Sequence, residues 1–382
     1  MSAIKNHELR RRYELDGAEK TVHHLTEAIE KKHLRPEDFS LRDLAETLIP
    51  DGREWVRTLN PRAGRLLTES SDGVDLTAFL NVSNQVIHSR IMESYTQDFF
   101  VASKLVETIP THLSGEKIVG IGKIPDESAE VAPGMPYHHV GLSEDYIETP
   151  ETTKRGLIVA VTREAIFFDQ TNQILSRASE VGEILGLNKE KRILDVLFGI
   201  ANNYKWNGTS YNTYYTSDDS GPWVNKLASN SLSDWTDIDA AENLFSNILD
   251  PSTEDPILIQ PNTVFVLPSS YHTAMRVMSA TEVRSTNGTQ TTITNNPLSQ
   301  YSVVTSRIAQ SRMKAASITN HPWLIGNFRK SFAYMENWPI TVTNSTTPSE
   351  ADFSQDILVR FKASERGAAA VLNPRYMVMC TD

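Results

Sequence analysis

Across 382 residues the chain holds one cysteine, Cys380, so neither a disulfide framework nor a cysteine-based zinc site can be assembled from it. Long apolar runs are missing as well. Nothing reaches the roughly 18 residues that a membrane-spanning helix requires, and charges interrupt the longest candidates. The opening "MSAIKNHELRRRYELDGAEK" places no apolar core after its basic residues and does not read as a secretory signal. These absences predict a protein made and kept in the cytosol. Positive charge is also short, with 37 Lys plus Arg against 48 Asp plus Glu and a formal net charge of -11. That balance argues against a surface built to grip a polyanion, because duplex binding needs clustered cations that displace counterions. The deficit is uneven: residues 1–70 hold 13 basic and 13 acidic side chains, so the rest of the chain carries all of it.

Catalytic signatures are equally scarce. There is no P-loop and no Gly-x-Ser-x-Gly. "GIGKIP" (120–125) has the look of a phosphate loop but ends on Pro125 instead of opening a helix. The pairs His23-His24 and His138-His139 put adjacent side chains on opposite faces, which does not suit a metal. Asp218-Asp219 and Asp237/Asp239 lack the glycine and terminal glutamate of a calcium loop, and read as a polar turn and a helix start. Tyr211, Tyr214, Tyr215 and Trp223 could stack on a sugar or base, but without basic companions they read as packing or contact residues. Asn81, Asn207, Asn287 and Asn344 match Asn-x-Ser/Thr, a consequence of Asn and Thr abundance. No catalytic residue, cofactor site or metal site is therefore expected.

What is present is an ordered series of elements. The first 70 residues are charge-dense and helical in pattern, with Leu25, Ala28 and Ile29 on one stripe and "SLRDLAETLI" on another, punctuated by Pro36, Pro50 and Pro61. Residues 74–95 form an amphipathic helix through Leu76, Phe79, Val86, Ile87 and Ile91. "EKIVGIGKI" (116–124) and "RGLIVAVTR" (155–163) read as two strands of a protruding hairpin, separated by a long, acidic, proline-bearing connection. The stretch "GLIVAVTREAIFFDQ" opens as a buried strand and leads into a long helix from Thr171 to about Asn202, with a bend expected near Gly186. Residues 207–235 are turn-rich and polar-aromatic. A helix over 238–249 starts near Asp234 or Thr236; a strand at 262–268 and a helix at 269–281 follow. "RSTNGTQTTITNN" (284–296) reads as a loop, and "YSVVTSRI", "WLIGNF", "FAYME" and "PITVTN" as strands. Residues 356–380 read as two strands around a Glu365-Arg366-Gly367 turn.

This order resembles the major capsid protein of tailed bacteriophages, the Hong Kong 97-type fold, an α+β architecture. The resemblance rests on "GLIVAVTREAIFFDQ" as the strand entering a spine helix, "ILDVLFGIANNYKWNG" as that helix's end, "FVLPSSYHTAMRVMSA" as a strand-helix step, and "DILVRFKASERGAAAVLNPRYMV" as closing strands. It covers about residues 75–382. It implies the following spans: a charged arm or scaffold-like extension (1–74), an N-arm helix and lead-in (75–115), an extended loop (116–161) and a peripheral domain with spine helix (162–206). An axial domain (207–354) and closing strands of the peripheral domain (355–382) complete it.

The implied function is a head protein that assembles with itself, as hexamers and pentamers, into an icosahedral shell enclosing double-stranded DNA, without catalysis or cofactor. Scaffold, portal and decoration proteins are the further partners implied, and the virion, assembled in the host cytoplasm, is the implied location. Val119, Ile121, Lys123, Ile124, Val131, Met135 and Tyr137 would contact neighbouring subunits, because a loop of this length cannot bury its own apolar atoms. Arg10, Arg11 and Arg12 would face the interior or a scaffold. Some members of the family join subunits through a lysine-asparagine bond promoted by glutamate; Lys117, Lys123 and Asn373 are present here, but no motif aligns them to that chemistry. An encapsulin-type compartment is the alternative within the fold, and a hydrolase or glycan-binding protein using 207–235 is the alternative from another class.

Overall fold

The computed structural model describes residues 73–120, 135, 145–162, 173–250, 255–287, 290–345 and 357–382, with scattered positions between 11 and 56. Those scattered positions are helical apart from a turn at Lys31, and Thr21, Leu44 and Val56 among them are buried.

Along the chain, helix α1 (Gly73–Tyr95) and the short α2 (Ala102–Leu105) precede strands β1 (Glu107–Pro110), β2 (Lys117–Val119), β3 (Tyr146–Glu148) and β4 (Thr153–Thr162). Helix α3 (Gln173–Leu197) leads to β5 (Tyr204–Trp206), β6 (Thr209–Tyr211) and β7 (Lys226–Leu227). Then come α4 (Trp235–Ser246), β8 (Thr263–Val266), α5 (Tyr271–Ser279), β9 (Glu282–Asn287), β10 (Gln290–Asn295) and β11 (Ser302–Thr305). Helix α6 (Arg307–Ala315), β12 (Trp323–Gly326), α7 (Phe328–Ser331), β13 (Phe332–Ser345), β14 (Ile357–Val371) and β15 (Met377–Cys380) complete the chain. The mixture of helix and sheet is the α+β class that the sequence predicts.

Two compact units emerge. The first comprises residues 1–97, 154–187 and 339–365; the second comprises 98–153, 188–338 and 366–382. Both cut across the spans expected from sequence, because α3, β13 and β14 are long elements with residues in each unit.

In the first unit, α1 buries Ser83, Val86, Ile87, Ile91 and Ser94, a single face at helical spacing. α3 contributes Leu175, Ala178 and Leu185 in the same rhythm. Ser94 and Ser179 share a hydroxyl hydrogen bond of 2.6 Å, and Tyr95 donates its hydroxyl proton to Glu365 at 2.6 Å.

The second unit is organised by a five-stranded sheet of order β11-β8-β12-β15-β7. Its central strands β8, β12 and β15 are buried along their whole length, and alternate residues serve two different cores. Val264, Val266, Trp323, Ile325, Val378 and Cys380 pack with Ile238, Ala241 and Phe245 of α4 and Ala274, Val277 and Met278 of α5. Phe265, Leu324, Met377 and Met379 pack with Ile193, Leu194 and Leu197 of α3 and Ala309 and Met313 of α6. A sheet covered by helices on both faces needs apolar residues at every position, which explains the unbroken runs "TVFV", "WLIG" and "MVMC". The helix termini are capped as the local sequence dictates: Asp234 and Asp237 form a capping box at α4, and Ser306 caps α6.

Several expectations need correction. β2 pairs with β3, inside the expected connection, in the register Lys117↔Glu148 and Val119↔Tyr146, and β4 instead neighbours β14. The reason is Ile147, 2% exposed, which gives the 146–148 segment a side chain to bury. β4 is not a buried strand, since only Val159 and Val161 are covered while Ile158 is 64% exposed. It is the last strand of a sheet of order β1-β13-β14-β4, and among the described residues its other flank has no partner strand. The Asn/Thr-rich stretch is a hairpin, β9 with β10, in the register Asn287↔Gln290 to Asn295↔Glu282. Its threonines favour extended backbone, and the register leaves two residues, 288 and 289, between the paired ends.

Glu365, Arg366 and Gly367 do not turn the chain; they lie within the continuous β14. Gly367 serves close approach, since a Cβ there would sit 2.7 Å from the Met335 carbonyl oxygen and from the Tyr334 ring. Strand "YSVVTSRI" stops at Thr305, and its last residues open α6. Helix α3 runs unbroken through Gly182 and Gly186 and ends at Leu197, with Gly199 in the left-handed region (φ 66°) two residues on.

Candidate assembly surfaces

The expected loop residues are best understood from how their segment is held. In the second unit the antiparallel sheet β2-β3-β5-β6 is tied by a short reverse turn at Asn207 (φ 49°) and Gly208 (φ 77°), a conformation that suits Asn-Gly. Asn207 does more than turn. Its side-chain oxygen accepts from the Tyr146 amide at 3.0 Å, and its side-chain nitrogen donates to Asp145 at 2.9 Å. The Gly120 amide donates to the Asp145 carbonyl at 2.6 Å, so the two ends of segment 121–144 are clasped together at the sheet. Gly120 is required there, since a Cβ would lie 2.6 Å from the Asp145 carbonyl carbon.

Upstream, Glu190 secures the lead-in to this sheet. Its carboxylate, fully buried, accepts from the amides of Val101, Ala102 and Ser103 at 2.8, 2.6 and 2.9 Å. Burial pushes the Glu190 carboxyl above the ordinary range, and the three amide bonds pull it back in part. Arg366 donates to the Thr152 hydroxyl at 3.0 Å and lies 5.5 Å from the Trp338 ring, which anchors the segment's other end. Glu190, Asn207 and Arg366 are the positioning residues that sequence reasoning missed. Only Asn207, through its Asn-Gly pair, carried a readable signal.

On this frame two described apolar side chains are left in solvent. Val119 is 83% exposed and Met135 66%. Lys117 pairs with Glu148 at 3.4 Å and sits 4.2 Å from the Tyr146 ring centre. Ile121, Lys123, Ile124, Val131 and Tyr137 lie outside the described residues, as do Arg10 and Arg12, the pair His138-His139, and Arg163-Glu164. Arg11 is exposed at a helical position. In the first unit, Leu157 and Ile158 of β4 are exposed beside Val159, which is buried.

Other candidate chemistry resolves into structure. Asn373 accepts from the Arg375 amide at 3.1 Å and caps the turn Pro374–Tyr376. Asp219 accepts from the Thr216 amide and hydroxyl at 2.8 Å, which makes the expected polar turn. Tyr214 and Trp223 are buried, with the Tyr214 hydroxyl donated to the Leu197 carbonyl at 2.5 Å, and Tyr211 and Tyr215 pack edge or tilted on Trp223. These rings offer no open stacking platform. Among the described residues no His/Cys/Asp/Glu cluster could hold a metal, and no helix is long and apolar enough to cross a membrane.

Among the described residues, polar groups lock these segments into the fold, while Val119, Met135 and Ile158 are left uncovered. Comparison with known proteins gives the class. The family model of the phage capsid protein matches residues 146–380, so the chain belongs to the phage capsid protein family, and its role is that of a major capsid shell protein. No curated protein matches the chain. Similar solved structures include the capsid of a native GTA particle, 10% identical over 75% of this chain and 90% of that one, with a TM-score of 0.45. Mycobacterium phage Ogopogo is 16% identical over 74% and 91%, with a TM-score of 0.40. The encapsulin complex of Synechococcus elongatus PCC 7942 is 11% identical over 73% and 85%, with a TM-score of 0.41. The assignment rests on the family model.

Proposed function

We propose that the chain tiles an icosahedral shell around double-stranded DNA, in a Hong Kong 97-type arrangement, through contacts that bury the 117–162 stretch against neighbouring copies. The observation that supports this reading is the set Val119, Met135 and Ile158, apolar side chains 83%, 66% and 64% exposed. Uncovered apolar area of this kind is removed from water when a second chain covers it, with about 25 cal/mol gained per Å². Repeating one such contact through identical copies generates closed assemblies.

In this reading the chain performs no catalysis. The segment around Ile121, Lys123, Ile124, Val131 and Tyr137 lies across a neighbour, and Arg10, Arg11 and Arg12 face the interior or a scaffold. The acidic balance suits an inner wall that encloses DNA without gripping it. Portal and decoration proteins join the shell, and assembly takes place in the host cytoplasm. Negative-stain microscopy of the purified chain tests the reading: hollow particles or ring-shaped capsomers are expected. Monomers at every concentration and ionic condition would overturn it.

A further inference from the structure

Among the described residues, six buried polar atoms without a hydrogen-bond partner belong to neighbouring side chains in the second unit. They are Nε and Nη1 of Arg375, Nε1 of Trp206, Nε1 of Trp223, the hydroxyl of Tyr204 and the hydroxyl of Thr213. The Arg375 guanidinium carbon lies 5.7 Å from the Trp206 ring centre and 5.3 Å from that of Trp223. Tyr204 packs edge-on to Trp223 with ring centres 5.6 Å apart. Thr213 is tied to the same turn by Asn225, whose amide donates to the Thr213 carbonyl at 3.0 Å and the Pro374 carbonyl at 2.9 Å. Arg375 is 1% exposed.

A guanidinium remains charged in a protein, so it cannot relieve its burial by losing a proton. Aromatic faces offset part of the cost, but they do not meet the N–H groups of the guanidinium. Each buried donor left unmet adds its own desolvation cost. Four of the six atoms can only donate, and the two hydroxyls can donate as well. The complement of this set is an acceptor on all sides. Asp145 and Asp250 act on Arg375 through their charge, and one Asp145 oxygen is already held by Asn207. Because two carboxylates already act on Arg375, a multiply charged oxyanion is disfavoured, and the close ring contacts favour a small anion over a large one.

We propose that Arg375, Trp206, Trp223 and Tyr204 form an interior binding site for a halide-sized monovalent anion, of which chloride is the available example. The site stands apart from the assembly surfaces and does not depend on the shell reading. It would hold the Pro374–Tyr376 turn against β5 and the 207–235 stretch by supplying an acceptor to their buried donors.

The test is thermal unfolding of the purified chain, in one assembly state, in chloride, in bromide and in gluconate at constant ionic strength. Chloride and bromide are expected to raise the midpoint by a few degrees, saturably, over gluconate, which is too large to enter. Trp206→Phe keeps the ring but removes one donor, and should shrink the increment; Arg375→Met should abolish it. If Arg375→Met does not fold, the Trp206→Phe comparison still decides. Iodide should quench Trp fluorescence saturably in the parent chain and less so in Trp223→Phe. Midpoints indifferent to the anion would mean that ordered water meets these donors, and would overturn the proposal. So would a bromide peak at Arg375 in a crystal without any effect on the midpoint, which would be an adventitious ion only.

Discussion

Gly182 of α3 lies directly against the backbone of Ile91 in α1: a Cβ on Gly182 would fall 3.1 Å from the Ile91 carbonyl carbon and inside van der Waals contact of its oxygen. The two helices of the first unit approach closely because this position carries no side chain. One turn earlier in α3, Ala178 and Ser179 are small as well, and Ser179 shares its hydroxyl hydrogen bond with Ser94 of α1.

Two effects oppose each other in Gly182→Ala. Helix propensity favours alanine by about 1 kcal/mol, while overpacking against rigid backbone costs about 1–3 kcal/mol. Because the obstructing atoms are main chain and cannot swing aside, the steric term should win. A lower denaturant midpoint for the variant is expected; an equal or higher one would show that the helices separate freely.

Glu190→Gln should destabilise the chain by about 1–3 kcal/mol, since an amide offers one acceptor and turns an N–H toward donors. The pH dependence has a definite sign. The folded carboxyl is raised above 4.5 by burial, so its contribution is complete below that value and fades as pH rises through the folded value. The stability difference between parent and Glu190→Gln should therefore shrink from pH 4.5 upward, as read from paired unfolding curves. A difference that grows with pH would mean that the three amide bonds outweigh burial.

Removing residues 121–144 and joining Gly120 to Asp145 through a short turn should leave the fold intact. The 2.6 Å bond between those residues already brings the ends together, whereas a wider cut would remove β3. Circular dichroism is expected to match the parent, while light scattering finds no shells. Particles of normal size from this variant would remove the segment from the assembly contact.

Cys380 is buried, and burial pushes its thiol up to about 12 from 9.0. At pH 8 this corresponds to roughly a thousandfold less thiolate than an exposed cysteine has. An aromatic disulfide reagent should leave the native chain unmodified over hours and react promptly once the chain is unfolded. Rapid native reaction would place β15 at the surface.

The helices α1 and α3, the capped α4 and the runs of β8 and β12 were readable because periodicity of 3.6 or unbroken apolarity reports local burial directly. Hairpin β9–β10 was obscured because its threonines and asparagines are polar and give no alternation of apolar residues, although threonine favours extended backbone. Among the surface residues, Val119 and Met135 follow from the impossibility of covering them within their own segment.

Sequence alone determined the strongly periodic helices and the buried runs of β8 and β12, and the scarcity of residue types from which no cysteine, metal or nucleotide chemistry was to be expected; it left β3 and the hairpin β9–β10 unread. Tertiary structure decided the partners. "LIVAV" reads as buried, yet β4 falls at a sheet edge, and Ile158 stays in water. Glu365-Arg366-Gly367 reads as a turn, yet Gly367 continues a strand so that Tyr334 can close over it. Whether an apolar side chain is covered depends on which distant strand pairs beside it. That choice is made by packing across the whole chain, which no local pattern records.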